Sequence, residues 1–299
     1  MPGHPGQDGC EERSGGPLLC VRVSPNPAAD LYLDLMAKVL TRYGFEGRNA
    51  SVTLPGGSYE SYLWQLLVSA APDRQLRIVE PGEFKAELRE EGHDWPADAE
   101  TMVGLKRLRN IRECVTTALA EGVPGDLVET GVWRGGSCIY MRGILAAYAD
   151  PDRQVWVCDS FEGLPEHDGR YDADIGDQFH TFTELAISVE EVQENFRRYD
   201  LLDDRVRFLK GWFADTLPSA PIERVAVLRL DGDMYSSTMD ALVPLYDKVS
   251  PGGFVIIDDY GAVPACAQAI HDFRAEHGIT EEIHQVDWTG AYWRKASAT

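Results

Sequence analysis

Several signals of secreted, membrane-bound or metal-thiolate proteins are missing from this sequence of 299 residues. The N-terminus has no basic segment followed by an apolar one, and no uncharged apolar run is long enough to span a bilayer. The six cysteines form no CxxC pair and have no metal-ligand spacing, which is typical of reduced thiols. We therefore expect a cytoplasmic chain that has no membrane partner.

Basic residues are also scarce. The chain has 49 acidic residues against 28 basic ones, a formal net charge of -21, and no cluster of lysine and arginine. Such a surface repels a phosphate backbone, so nucleic acid is excluded as an expected partner. The content of 44% hydrophobic and 10% aromatic residues is that of a folded globular protein.

The N-terminal part of the chain indicates a tail followed by helices. Residues 1–29 are rich in glycine, proline and charge, and we expect a disordered tail there. Residues 30–121 are expected to form a helical cap. Its first helix is predicted to begin at Asp30 as N-cap, with one apolar face made of Leu31, Leu35, Val39 and Leu40.

Three further helices are predicted in this cap region. The stretches 82–92 and 98–122 have helical periodicity, and the apolar segment within 45–80 is also interpreted as helical. The first clear strand follows them.

Residues 122–299 are predicted to form a Rossmann-like α/β core. Helices near 135–148, 188–200, 236–249 and 262–277 alternate with apolar strand segments, namely DLVETG, QVWVCDS, RVRFLKG, RVAVLRLDGD and GGFVIIDDY. This alternation indicates a doubly wound, mostly parallel sheet. The last two of its seven strands, EEIHQVD and AYWRK, are joined by a short WTG turn and must pair antiparallel. A C-terminal antiparallel strand of this kind is known from class I S-adenosylmethionine-dependent methyltransferases.

The turn after the first strand, ETGVWRGG, is the usual ligand position in such a sheet. Its glycines are Gly131, Gly135 and Gly136, so the middle glycine of a dinucleotide GxGxxG motif is missing. Glu129 before the first glycine would suit a ligand with positive charge, such as the ammonium and sulfonium of S-adenosylmethionine. Alternatively, Glu129 pairs locally and the glycines only shape a tight turn.

The second strand supports an adenosine ligand. It ends at Asp159, and an acid at this position can accept hydrogen bonds from both hydroxyls of a ribose. NAD and S-adenosylmethionine share that ribose, so the choice between them depends on the first turn.

Four aspartates close the fourth and fifth strands of the predicted sheet, Asp231 and Asp233 in LDGD and Asp258 and Asp259 in IDDY. They are predicted to meet at one edge, where unpaired carboxylates would repel one another. A Mg²⁺ ion bound by them would relieve this repulsion and lower the pKa of an acceptor hydroxyl. We interpret Asp233 as the likeliest base and include all four in the metal set; the alternative is that two of them are solvated loop acids.

Eight longer stretches extend these motifs: LYLDLMAKVLTRYG, HDWPADAETMVGLKRLRNI, VPGDLVETGVWRGG, DSFEGLP, NFRRYDLLDDRVRFLKGWFADTLP, VLRLDGDMY, SPGGFVIIDDY and EEIHQVDWTGAYWRK. With them the chain resembles the macrocin O-methyltransferase family, whose members methylate sugar hydroxyls of glycosylated antibiotics. The resemblance covers about residues 30–43 and 93–295, but residues 45–80 do not match well. That mismatch leaves acceptor specificity open.

The resemblance implies a Mg²⁺-dependent homodimer that uses S-adenosylmethionine and a small-molecule glycoside acceptor. Its metal ligands map onto the LDGD and IDDY acids. The implied cofactor contacts are the methionine-side residues Glu129, Thr130, Gly131, Val132, Trp133 and Ser137, the adenosine-side residues Asp159, Ser160, Phe161, Glu162, Gly211, Trp212 and Phe213, and the covering residues Thr101 and Met102.

Three rival functions remain open. A catechol-type phenol methyltransferase would use a similar metal site, an NAD-dependent oxidoreductase would share the ribose contact, and a cofactor-binding module would need no aspartate cluster. Residues 160–185 are interpreted as a lid over the site, with a permanently mobile acidic loop as the alternative.

Overall fold

A computed structural model describes residues 26–45, 47–51, 79–82, 84–94, 96 and 98–296, together with positions 65 and 69. The α-helices of eight or more residues are α1 (Pro27–Leu40), α3 (Leu105–Ala120), α4 (Gly136–Ala147), α5 (Val189–Arg198), α7 (Tyr235–Leu245) and α8 (Pro264–Glu276), and the shorter ones are α2 (Ala86–Glu91) and α6 (Phe213–Thr216). The strands are β1 (Gly47–Ser51), β2 (Val79–Gly82), β3 (Asp126–Thr130), β4 (Val155–Asp159), β5 (Val206–Lys210), β6 (Val225–Leu230), β7 (Val249–Ile257), β8 (His284–Gln285) and β9 (Ala291–Arg294). None of the helices among these residues is long and apolar enough to cross a membrane.

Seven strands form one sheet in the order β5-β4-β3-β6-β7-β9-β8. Strands β3 to β7 run parallel, and β9 pairs antiparallel with both β7 and β8. The predicted fold class is therefore confirmed, including the antiparallel C-terminal strand. Since β3 lies between β4 and β6, the chain changes direction along the sheet there, and the turn after β3 lies at this switch point.

The two faces of the sheet are covered by different helices. Side chains alternate along each strand, so Leu127 and Val227 face one layer and Val128 and Leu228 face the other. The first layer contains α1, α3, α4 and α5, and the second contains α7 and α8. The N-terminal helices α1 and α3 therefore share a hydrophobic core with the sheet.

Helix α1 begins earlier than predicted and buries a different face. Its N-cap is Asn26, whose side-chain oxygen accepts a hydrogen bond from Ala29 N at 3.2 Å, and not Asp30. The predicted face is wrong, because Leu31 is 73% exposed and Leu35 is 60% exposed. The buried residues are Ala29, Leu33, Met36, Ala37 and Leu40.

A glycine on α4 lies against the buried face of α1. An added Cβ at Gly143 would lie 2.5 Å from Met36 Sδ, so the missing side chain lets α1 approach α4 closely. Helical periodicity alone cannot distinguish the two apolar stripes of α1, since the helix that covers the buried one, α4, is about a hundred positions away.

Within the segment 45–80, the helical prediction concerned the apolar stretch at 61–70, and its two described residues, Gln65 and Ser69, are helical, with the Ser69 hydroxyl donating to the Gln65 carbonyl at 2.7 Å. Residues 47–51 and 79–82 form an antiparallel two-stranded ribbon, β1 with β2, while most of the residues between them lie outside the described part. The predicted tail, residues 1–29, is likewise undescribed apart from 26–29, and Pro27–Ala29 already belong to α1.

The loop 160–185 is anchored to the second layer by a buried carboxylate. Asp174 Oδ1 accepts a hydrogen bond from Tyr235 N at 2.8 Å, and Asp174 Oδ2 accepts one from Ser236 N at 2.9 Å. These two amides lie in the first turn of α7 and have no hydrogen-bond partner within the helix. A carboxylate can accept hydrogen bonds from them, and its negative charge is favoured by the helix dipole. The middle of the loop is therefore tied to α7.

This anchor predicts a difference between two aspartates of one short turn. We expect Asp174→Ala to lower the free energy of unfolding by about 2 kcal/mol, because it leaves two helix-terminal amides without partners. Asp172→Ala, at an exposed position of the same turn, should change it by less than about 0.5 kcal/mol. Urea denaturation of both variants measures the difference, and equal stabilities would contradict the anchoring role.

Candidate active site

A cavity of about 320 Å³ opens at the carboxyl ends of the parallel strands. Its walls come from the turns after β3 and β6, from the loop after β4, and from α6 and α7. The lining residues are Met102, Gly131, Val132, Trp133, Asp159, Ser160, Gly163, Leu164, Pro165, Glu166, Asp168, Arg170, Leu185, Trp212, Phe213, Ala214, Asp215, Asp231, Gly232, Asp233, Ser236, Ser237 and Asp240.

Many of the residues predicted from sequence lie in this lining. Those that do are Met102, Gly131, Val132, Trp133, Asp159, Ser160, Trp212, Phe213, Asp231 and Asp233. Those that lie behind or beside it are Thr101, Glu129, Thr130, Ser137, Phe161, Glu162, Gly211, Asp258 and Asp259. The structure thus brings the first-turn, ribose and LDGD predictions to one cavity.

Gly131 is required because two strand ends meet there. It has φ +85°, and an added Cβ would lie 1.6 Å from the carbonyl oxygen of Asp231. The turn after β3 is therefore packed directly on the turn after β6, which joins the predicted cofactor turn to the first predicted metal ligand.

Strained backbone is concentrated around the cavity. Six described non-glycine residues have positive φ, and three of them follow the ends of α1, α4 and α5, where this conformation is common. The other three are Trp133 (φ +46°), Phe161 (φ +58°) and Asp233 (φ +57°), each in a turn at the carboxyl edge of the sheet. Such strain is often found where a side chain must be held for binding or chemistry.

Asp159 holds the turns after β3 and β4 together. Its Oδ2 accepts a hydrogen bond from Val132 N at 2.7 Å, and its Oδ1 accepts one from Phe161 N at 2.6 Å. Burial raises the pKa of this carboxyl, while the two amide bonds oppose that rise. Oδ1 also accepts a longer hydrogen bond from the Ser160 hydroxyl, at 3.4 Å, which a ribose hydroxyl could replace.

Glu129 lies beneath the cavity, where its carboxylate is already paired. Its Oε1 contacts Arg229, and its Oε2 accepts a hydrogen bond from Cys138 Sγ at 2.7 Å. Burial raises its pKa to about 7, although the Arg229 guanidinium lowers it. The local pairing considered from the sequence is present, and a cofactor contact by Glu129 stays a prediction.

Three of the four predicted metal ligands come together. Carboxylate oxygens of Asp231, Asp258 and Asp259 all lie within 4.8 Å of one another. Asp233 is outside this group, but its backbone N donates to Asp259 Oδ2 at 3.3 Å. Three converging hard oxygen donors fit a divalent cation such as Mg²⁺.

Uncompensated charge at these acids is a second observation that fits a cation. Burial and then the neighbouring carboxylates raise the pKa of Asp231 to about 6 and that of Asp233 to about 8. The pKa of Asp259 is raised well above its usual value for the same reasons. A bound cation would offset this repulsion.

Two buried arginines in the site were not predicted from the sequence. Arg229 contacts Glu129, Asp231 and Asp258, and Arg107 of α3 contacts Asp258 and Asp287. The sequence could have indicated Arg229, because an arginine inside the apolar run VAVLRL of a central strand needs buried acidic partners. Arg107 gave no such signal, since helix α3 carries three other basic residues.

A family model described as macrocin-O-methyltransferase (TylF) matches residues 29–295. The chain belongs to the macrocin O-methyltransferase family. Family and fold together identify it as an O-methyltransferase of the S-adenosylmethionine-dependent class.

Relatives in this family span nearly the whole chain. It is 52% identical over 275 residues to the 8-demethyl-8-(2,3-dimethoxy-alpha-L-rhamnosyl)-tetracenomycin-C 4'-O-methyltransferase of Streptomyces olivaceus, covering 91% of this chain and 95% of that protein. It is 46% identical over 279 residues to the mycinamicin III 3''-O-methyltransferase of Micromonospora griseorubida, covering 92% of this chain and 100% of that protein. The demethyldecarbamoylnovobiocin O-methyltransferase of Streptomyces niveus is 48% identical over 282 residues, covering 93% of this chain and 98% of that protein.

A solved structure of the O-methyltransferase NovP superposes with a TM-score of 0.77 at 48% identity, covering 90% of this chain and 99% of that one. The calicheamicin methyltransferase CalS11, at 17% identity and a TM-score of 0.55 over 95% of this chain and 99% of its own, shares the fold.

The close approach at Gly131 gives a prediction for this macrocin-family site. We expect Gly131→Ala to lower the free energy of unfolding by about 3 kcal/mol or more, because it adds a left-handed alanine and a steric overlap with Asp231. Gly122→Ala is the matched control: φ is +64° there, but no atom lies within 4 Å of the added Cβ. The control should cost about 1 kcal/mol in the same urea titration. Similar losses in both variants would contradict the packing described for the two turns.

Proposed function

We propose that the enzyme transfers a methyl group from S-adenosylmethionine to a sugar hydroxyl of a glycosylated secondary metabolite, with Mg²⁺ as the metal. The observation that carries this proposal is the convergence of Asp231, Asp258 and Asp259 beside an acidic cavity in a member of this family. Three relatives act, by their names, on mycinamicin III, a rhamnosyl-tetracenomycin and a demethyldecarbamoylnovobiocin.

The charge of the cavity supports a cationic cofactor. Seven carboxylate residues and one arginine, Arg170, are found among its described lining residues. The sulfonium and ammonium of S-adenosylmethionine would be attracted there, whereas the pyrophosphate of NAD would be repelled. This argues against the oxidoreductase alternative.

The chain's own residues would mainly position the reactants. The turn after β3 and Asp159 would hold the cofactor, and Met102 would cover it from the N-terminal helices. The three clustered acids would hold the cation, which when bound lowers the pKa of the acceptor hydroxyl. Asp233 would then take the hydroxyl proton as methyl transfer proceeds.

Homodimer formation is also proposed, following the family resemblance. The exposed leucines of α1, Leu31 and Leu35, offer an apolar surface that a second copy could cover.

A substrate panel tests the function directly. With labelled S-adenosylmethionine and Mg²⁺, we expect methyl transfer to at least one of mycinamicin III, demethyldecarbamoylnovobiocin and the rhamnosyl-tetracenomycin, and none to catechol. EDTA should abolish the transfer, and added Mg²⁺ should restore it. Transfer to catechol alone would favour the phenolic alternative, and activity that survives EDTA would remove the metal from the proposal.

Asp233 provides a second test on whichever acceptor is active. We expect Asp233→Asn to lower kcat about 100-fold or more, because the amide cannot accept the proton, while S-adenosylhomocysteine affinity measured by calorimetry is retained. Asp247→Asn, at an exposed position after α7, is the matched control and should leave kcat unchanged. Normal turnover in Asp233→Asn would assign the base elsewhere.

A further inference from the structure

Arg229 is the central cation of the buried edge. Its Nη1 contacts Glu129 Oε1 and lies 2.7 Å from Asp231 Oδ2, and its Nη2 contacts Asp258 Oδ1. The residue is only 1% exposed. One guanidinium thus joins the ends of β3, β6 and β7, the three central strands of the sheet.

The register of the sheet places Arg229 among these acids. Glu129 pairs with Arg229 across β3 and β6, and Arg229 pairs with Ile256 across β6 and β7. Asp231 and Asp258 lie two positions further along their strands and therefore face the same layer. The contacts thus follow from the strand pairing.

Packing alone does not account for an arginine here. Arg229 Nε is buried and has no hydrogen-bond partner among the described residues, which is unfavourable. A buried ion pair can often be replaced by apolar side chains without loss of stability. The contacts with two of the clustered acids therefore suggest a role in binding.

Arg107 completes the arrangement around Asp258. Its Nη1 contacts Asp258 Oδ2, while Arg229 contacts Asp258 Oδ1, and its Nε contacts Asp287 Oδ2 at 3.0 Å. Asp258 is held by a different guanidinium at each oxygen. Each oxygen has a second lone pair, so these contacts fix the carboxylate without preventing cation binding.

We propose that Arg229, assisted by Arg107, is a positioning residue that orients Asp231 and Asp258 for a divalent cation. This inference rests on the proposed metal site. Planar guanidinium groups suit the role because they contact several carboxylates in fixed directions, whereas a lysine ammonium is a point charge on a flexible stem. Replacing the arginine by lysine can therefore separate the effect of the positive charge from the effect of the guanidinium geometry.

The test compares Mn²⁺ binding by the wild type and Arg229→Lys, using the EPR signal of free Mn²⁺ with S-adenosylhomocysteine present. Lysine keeps the positive charge but lacks the planar guanidinium group that contacts several carboxylates in fixed directions. We therefore expect Mn²⁺ affinity to fall 10- to 100-fold, the range typical of residues that orient metal ligands. S-adenosylhomocysteine binding should be retained in calorimetry. Loss of both ligands would overturn the inference, because the change would then reflect disruption of the whole edge.

Arg142→Lys is the matched control. Arg142 is 4% exposed and pairs with Asp203, and neither residue lines the cavity. It should lose stability through the same chemical change, yet bind Mn²⁺ normally. If its Mn²⁺ affinity falls as much as that of Arg229→Lys, the effect is a general one and the inference is wrong.

The remaining outcomes separate this inference from the proposed function. Unchanged Mn²⁺ affinity in Arg229→Lys would overturn the positioning role while leaving the metal site intact. No Mn²⁺ binding by the wild type would overturn both. If Arg229→Lys does not fold, Arg107→Lys decides: Mn²⁺ affinity several-fold weaker supports the inference, and an unchanged affinity overturns it.

Discussion

The concentration of negative charge at one edge of a parallel sheet is the constraint on which the site depends. Parallel strands bring their carboxyl ends together, and here this brings five acids into one region: Glu129, Asp231, Asp233, Asp258 and Asp259. Asp287 joins them from the turn between β8 and β9. Two buried arginines supply only part of the opposing charge. Burial raises the pKa values of Asp231 and Asp233, and the remaining excess of carboxylates raises them further. A ligand that binds there gains most if it carries positive charge.

The same constraint explains why distant parts of the chain are tied to this edge. Helix α3 contributes Arg107, and the turn between β8 and β9 contributes Asp287, whose Oδ2 accepts from Arg107 and whose Oδ1 accepts from the amides of Thr289 and Gly290. The Thr289 hydroxyl in turn donates to the Asp258 carbonyl at 2.8 Å. The antiparallel C-terminal strand therefore helps fix a residue of the acid cluster besides closing the sheet.

The sheet and ten of the residues that line the cavity could be predicted from the sequence, because both depend on local patterns. Apolar runs ending in acids indicated the strands, their direction and the edge where the acids meet. The partners of those acids could not be predicted in the same way. Glu129 and Arg229 are 100 residues apart and meet only through the pairing of β3 with β6. The prediction of the buried face of α1 was wrong for a similar reason, since that face packs on α4, which is distant in the sequence.

Glu129 shows how this buried charge could respond to the proposed cofactor. Its pKa of about 7 means that the carboxyl changes between neutral and ionised forms near neutral pH, since burial opposes ionisation and Arg229 favours it. A cationic ligand near the turn after β3 would shift that balance towards the carboxylate. By linkage, the ionised carboxylate would bind the cation more tightly than the neutral acid does. The acid that ends the first core strand would then contribute to cofactor affinity through its charge state, even while Arg229 and Cys138 occupy its oxygens.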